Sequence, residues 1–157
     1  MTIKTFFGNG FKISEYKKEI EISNDERFLR QKIFLDKMHK LKTDIVFDPV
    51  KLALEYIPNK YFQIIEKIID IDKTVNKDSL CHCDPVKKNF LVTNNSCYLI
   101  DFEYSGMYDA KFDEASMIID YKIKNCYNNI ITKYIKLVAL LWLSWSIGYV
   151  DKLGKNY

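Results

Sequence analysis

The sequence predicts an α+β fold that is mostly helical, with one β-hairpin at its N-terminal end and a second near its middle. Three observations predict it. Apolar residues recur at helical spacing in several stretches. Two pairs of short β-prone runs are each joined by turn-forming residues. Hydrophobic residues make up 48% and charged residues 29% of 157, enough to bury a core beneath a solvated surface, and against disorder.

The elements follow in order. Residues 1–22 read as strands. Asn9-Gly10 lies between Phe7 and Phe11, and both residues of an Asn-Gly turn tolerate positive φ. A two-stranded hairpin alone is marginal in water, so it reads as the edge of a larger sheet. Ser23 and Glu26 form a capping box for a helix carrying Phe28, Phe34, Leu35, Met38 and Leu41. Asp48-Pro49 starts a second helix, which Pro58 ends. A third covers Phe62, Ile65, Ile68 and Ile69. Residues 79–85 are short and broken by Pro85. Phe90–Thr93 and Cys97–Ile100, joined by Asn94-Asn95-Ser96, predict the second hairpin. A loop with Gly106 follows Asp101. Helices are then predicted from about Asp113 to Tyr121 and Tyr127 to Val150.

Charge and composition exclude several roles. The net charge of +3, from 24 basic and 21 acidic residues, predicts a solvated surface and no nucleic-acid partner. The start carries no secretory signal. The longest apolar stretch, Leu137 to Ile147, is too short to span a bilayer of about 30 Å and reads as a core helix, so no membrane span is expected. Cys81, Cys83, Cys97 and Cys126 form no disulfide pattern, and a reducing cytoplasm is the expected setting.

The chemistry concentrates in His82-Cys83-Asp84-Pro85-Val86-Lys87-Lys88-Asn89. This is H-x-D-x-x-x-x-N, the spacing of a kinase catalytic loop. The second hairpin follows, and Asp101-Phe102-Glu103 comes after it. Phosphoryl transfer from ATP accounts for the set. One carboxylate, Asp84, orients the acceptor hydroxyl and takes its proton. Two oxygen ligands, from Asn89 and Asp101, hold Mg2+ on the phosphates. A tight hairpin between Asn89 and Asp101 returns the chain beside its starting point. Cys81-His82-Cys83 is a poor zinc site, because adjacent residues of an extended chain point to opposite sides. A thiol nucleophile lacks an orienting third group.

Leu80 to Leu91, with Tyr98-Leu99-Ile100-Asp101-Phe102-Glu103-Tyr104-Ser105-Gly106-Met107, resembles the choline/ethanolamine kinase family. Its members have a protein-kinase-like fold related to aminoglycoside phosphotransferases. The resemblance implies that His82, Asp109 and Asp113 are structural. It also likens Gly10–Tyr16 to the last N-lobe strands and hinge, and Met38-His39-Lys40-Leu41 to the family's helix end. The chain would then divide into residues 1–22, a remnant of N-lobe strands and hinge, and residues 23–157, a kinase-like C-lobe. The Gly-rich loop and phosphate-binding lysine would lie before Met1, supplied by a missing N-lobe or an oligomeric partner. Gly8-Asn9-Gly10, Lys4 and Lys12 lack the surrounding pattern.

Trp142-Leu143-Ser144-Trp145 resembles the Trp-x-x-Trp helix lining the family's choline pocket. A quaternary ammonium is held by aromatic faces and nearby carboxylates, and residues three apart share a helical face. Glu103, Tyr104, Trp142 and Trp145 are therefore the candidates for the ammonium end of a small amino alcohol. The residues alone favour core packing for the two tryptophans, and the resemblance brings the pocket reading level with it. Two other readings stand beside ATP-dependent phosphorylation of choline or ethanolamine. One is a non-catalytic remnant binding an ammonium ligand or partner chain. The other is an aminoglycoside-type phosphotransferase, against which the aromatic set argues.

Overall fold

The computed structural model describes residues 5–8, 11–14, 18–58, 61–124 and 128–154. The elements run β1 (Thr5–Gly8), β2 (Phe11–Ser14), α1 (Asn24–Met38), α2 (Pro49–Tyr56), α3 (Phe62–Asp72), β3 (Ser79–Cys81), β4 (Phe90–Val92), β5 (Cys97–Leu99), β6 (Gly106–Tyr108), α4 (Ala110–Asp120) and α5 (Asn129–Gly154). The predicted Asn9-Gly10 turn, the hinge at Glu15-Tyr16, Cys126 and the Tyr127 helix start lie outside the described residues.

β1 and β2 pair antiparallel, with Phe6 opposite Ile13 and Gly8 opposite Phe11. After them, Ile20 N–H donates to the Val92 carbonyl at 3.0 Å, tying this end of the chain to β4. The helix starts follow local chemistry. Ser23 Oγ accepts from Glu26 N–H at 3.2 Å. Asp48 Oδ1 accepts from Val50 and Lys51 N–H, satisfying donors that the first turn leaves free. α4 begins three residues earlier than its apolar pattern predicts, because Asp109 caps it through Lys111 N–H at 3.0 Å. Asn128 Oδ1 plays the same part at α5, bonding Ile130 and Ile131 N–H.

Gly106 falls in a strand and not in the predicted loop. β6 pairs antiparallel with β3, Cys81 facing Gly106 and Ser79 facing Tyr108. On its other side Met107 N–H donates to the Ile45 carbonyl at 2.7 Å, and Phe47 N–H to the Met107 carbonyl at 3.2 Å. A strand of three residues carries no period to read, and its partner lies far off in sequence. Glycine is required there by close approach: a Cβ at Gly106 would sit 2.7 Å from Phe47 N and 3.1 Å from Val46 C.

α5 is the pillar of the main core. Its residues Ile131, Tyr134, Leu137, Val138 and Leu141 are buried together with Ala53 of α2, Ile65 and Ile68 of α3, and Phe112, Ala115 and Ile118 of α4. Each such burial contributes about 1.5–3 kcal/mol for a large aliphatic side chain. α5 extends well beyond the Leu137–Ile147 stretch, and its residues Asn129–Lys152 are long and apolar enough to cross a membrane by length and composition alone, a test that a core helix also passes. A second cluster joins Leu35 and Met38 of α1 to Phe90, Leu99 and Met117. Cys81 and Cys83 belong to the first cluster, and Leu80 and Phe90 to the second, so the segment between them is anchored in both.

Candidate active site

The segment after β3 is held in an unfavourable backbone shape by one buried carboxylate. Cys83 has φ 67°, a left-handed conformation that costs a non-glycine residue on the order of 1–2 kcal/mol. Asp113 of α4 is fully buried and accepts from His82 N–H and Cys83 N–H, both at 2.9 Å. His39, just past α1, adds a third contact, its Nε2 lying 2.9 Å from Asp113 Oδ2. Three elements thus converge on one side chain.

His82 has no exposed surface. Its Nδ1 accepts from Asp84 N–H at 3.3 Å, so Nε2 carries the proton and donates to the Ile100 carbonyl at 2.9 Å. The imidazole bridges the loop to the residue preceding Asp101. Phe102 packs edge-on against the ring.

A 3-10 turn, Lys87–Asn89, then directs Asn89 inward, where it is 3% exposed. Its Nδ2 donates to the Asp84 carbonyl at 2.8 Å and to Asp84 Oδ2 at 2.9 Å. This leaves the amide oxygen of Asn89 and Oδ1 of Asp84 outside those bonds. The β4–β5 hairpin brings the chain back, and Ile100 N–H donates to the Asn89 carbonyl at 3.0 Å. Asp101 follows at φ 66°, a region that Asp tolerates better than most side chains.

Burial raises the Asp84 carboxyl above its ordinary value. The Asn89 hydrogen bond and the charge of Lys88 offset part of that, and Asp101 adds to it. A carboxylate so placed is a better proton acceptor than a solvated one.

One cavity of about 460 Å³ gathers most of the predicted site. Asp84, Asp101, Glu103, Tyr104, Trp142 and Trp145 all line it. Asn89 lies behind Asp84 and His82 beneath the loop. The tryptophans divide their roles: Trp142 packs against the core as well as lining the cavity, whereas Trp145 is 50% exposed and stacks on Tyr149, centroids 5.4 Å apart. Two lining residues carried no sequence signal. Tyr56, the last residue of α2, bonds Tyr104 hydroxyl to hydroxyl at 3.2 Å. Lys88 faces the cavity, while its neighbour Lys87 turns onto the Tyr121 ring, 4.2 Å from the centroid.

His39, Cys81 and Asp113 bring possible metal-binding atoms within 4.8 Å of one another, a grouping that the motif around His82 does not reveal. It belongs to the loop clamp. Asp113 is already bonded to three groups, and burial holds the Cys81 thiol well above its ordinary value.

Residues 39–126 match the phosphotransferase enzyme family. Protein LicA of Haemophilus influenzae is 31% identical over 84 residues, which span 46% of this chain and 25% of that protein. Choline kinase LicA from Streptococcus pneumoniae shares the fold at a TM-score of 0.74 and 20% identity, over 96% of this chain and 67% of that one. A choline/ethanolamine kinase family protein from Mesorhizobium loti follows at 0.65 and 17%, over 95% and 66%. Ethanolamine kinase from Plasmodium vivax gives 0.59 and 18%, over 94% and 59%. The fold is therefore the choline/ethanolamine kinase-like form of the protein-kinase fold. The chain spans about a quarter of the curated relative that it matches.

Proposed function

The chain belongs to the phosphotransferase enzyme family, and we propose that it serves to transfer a phosphoryl group from ATP to the hydroxyl of choline or ethanolamine. The observation carrying this reading is a single cavity wall shared by two carboxylates, Asp84 and Asp101, and an aromatic set, Tyr104, Trp142 and Trp145.

The residues divide the task. Asp84 accepts the proton of the substrate hydroxyl and orients its oxygen towards the phosphoryl group. Asn89 fixes the Asp84 rotamer through Nδ2, and His82 fixes the loop backbone through Nδ1. The amide oxygen of Asn89 and the Asp101 carboxylate are hard oxygen donors, the set that suits Mg2+. Bound there, the ion would neutralise charge on the phosphates of ATP. The ammonium end meets the faces of Trp142, Trp145 and Tyr104, with Glu103 supplying opposite charge.

In this reading, residues 23–157 are the catalytic-loop lobe and residues 1–22 the last strands and hinge of the smaller lobe. Substrate and nucleotide are small and water-soluble, which fits a cytoplasmic setting. The aromatic wall favours an amino alcohol over a polyhydroxylated aminoglycoside, which would call for a more polar lining.

Isothermal titration of the full chain with choline and ethanolamine tests the ammonium end. We expect saturable binding, weakened roughly 3- to 30-fold by Trp145→Ala, the range of a partly desolvated cation–π contact. Unchanged affinity in that variant, or no binding of either compound, would refute the reading.

A further inference from the structure

Tyr56 is tied into the cavity more firmly than a chance lining residue would be. It ends α2, and its hydroxyl oxygen lies 3.2 Å from that of Tyr104, bridging α2 to the segment after Asp101. The position is built from the opposite side by Gly148 of α5. A Cβ at Gly148 would come within 2.6 Å of the Tyr56 carbonyl oxygen and 2.9 Å of Tyr56 Cβ. Only glycine lets the two helices meet so closely. Lys152, one turn on, holds its ammonium 5.7 Å from the Tyr56 ring centroid.

The hydrogen-bond inventory of the pair is asymmetric. Two phenols carry two protons and four lone pairs, and one proton lies between the two oxygens. Burial, then the bond to Tyr56 and its electrostatic influence, then the charge of Glu103 and a hydrogen bond to it push the Tyr104 phenol well up, so it stays protonated with that carboxylate as its partner. What remains for a ligand is chiefly acceptor oxygen, next to a negative charge. Aromatic faces bind any ammonium group, methylated or not. Phenol oxygens can reward only an ammonium that still bears N–H bonds.

From this geometry we propose that the Tyr56–Tyr104 phenol pair accepts hydrogen bonds from a primary ammonium group, making Tyr56 a specificity-determining residue. The inference rests on the ammonium reading of the cavity and deepens it. Tyr56 raises the preference for ethanolamine-type over choline-type headgroups, because a trimethylammonium group has no N–H to give.

The test is the ratio of two affinities in the full chain, measured by isothermal titration with ethanolamine and with choline. In Tyr56→Phe, which keeps the ring, ethanolamine affinity should fall roughly tenfold, as expected for one hydrogen bond to a charged group, while choline affinity stays within about twofold. Gly148→Ala, which displaces the end of α2, should move the ratio in the same direction. An equal loss for both ligands would make Tyr56 merely structural and overturn the inference, as would no loss for either. If the native chain binds neither compound, the ammonium reading itself falls and takes the inference with it. If the native chain binds and only the ratio is unmoved, the inference alone fails.

Discussion

Cys83 and Asp101 sit at the two places where the backbone enters the left-handed region beside the cavity, and Cys83 is held there by a partner distant in sequence. The Asp113 carboxylate does this for Cys83. Substitution by alanine leaves the His82 and Cys83 N–H groups buried without acceptors, at about 1–3 kcal/mol apiece. Asp113→Ala should therefore lower the unfolding free energy by at least about 2 kcal/mol in urea titration, though Asp113 does not line the cavity. A change under about 0.5 kcal/mol would show the clamp to be dispensable. At this scale the spacing of His82, Asp84, Asn89 and Asp101 is legible from sequence, because a loop and a short hairpin set their separation. The role of His39 is not. It reads as a helix end, and only folding brings Asp113, 74 residues on, to its Nε2.

Helix starts were the most legible elements, since a cap and its recipients are neighbours in the chain. Ser23 and Asp48 stand where their side chains announce. α4 shows what local reading misses: its cap, Asp109, is also bonded by the Tyr134 hydroxyl of α5, so one carboxylate joins two helices. Burial alone would raise the Asp109 carboxyl. The Tyr134 hydroxyl, Lys111 N–H and the Lys111 charge outweigh it and hold the group below its ordinary value. A depressed folded-state pKa contributes stability that is present above the unfolded value and is lost as pH falls through the folded one. Urea titrations at neutral pH and at a pH below the ordinary Asp range should show that loss, and Asp109→Asn should diminish it. Equal pH dependence in the variant would assign the effect elsewhere. The β3–β6 pair escaped sequence reading for a related reason: three-residue strands have no pattern of their own and are specified by Gly106 fitting against residues 45–47.

Across the whole molecule, the loop from Cys81 to Asn89 is anchored in two hydrophobic clusters, and α5 carries both core and cavity wall. That double duty explains why Trp142 and Trp145 could not be divided between core and pocket by composition. Leu137 and Val138 supply the buried stripe of α5, and the two tryptophans continue it into the cavity, where the exposed Trp145–Tyr149 stack marks the mouth. The mostly helical α+β fold was legible from periodicity and turns. The meeting of Asp84 with the aromatic wall was expected only through the family resemblance, because it depends on how α2, α5 and the segment after Asp101 pack. The central claim is that this wall presents an amino alcohol's hydroxyl to Asp84. Its most direct test is phosphorus NMR of the chain, joined to a lobe that carries the Gly-rich loop and phosphate-binding lysine, incubated with ATP, Mg2+ and either choline or ethanolamine, beside the Asp84→Asn variant. The account predicts a phosphomonoester of the amino alcohol, formed about 10²–10⁴-fold more slowly by Asp84→Asn. ATP consumed without that product, or equal rates in the two proteins, would contradict it.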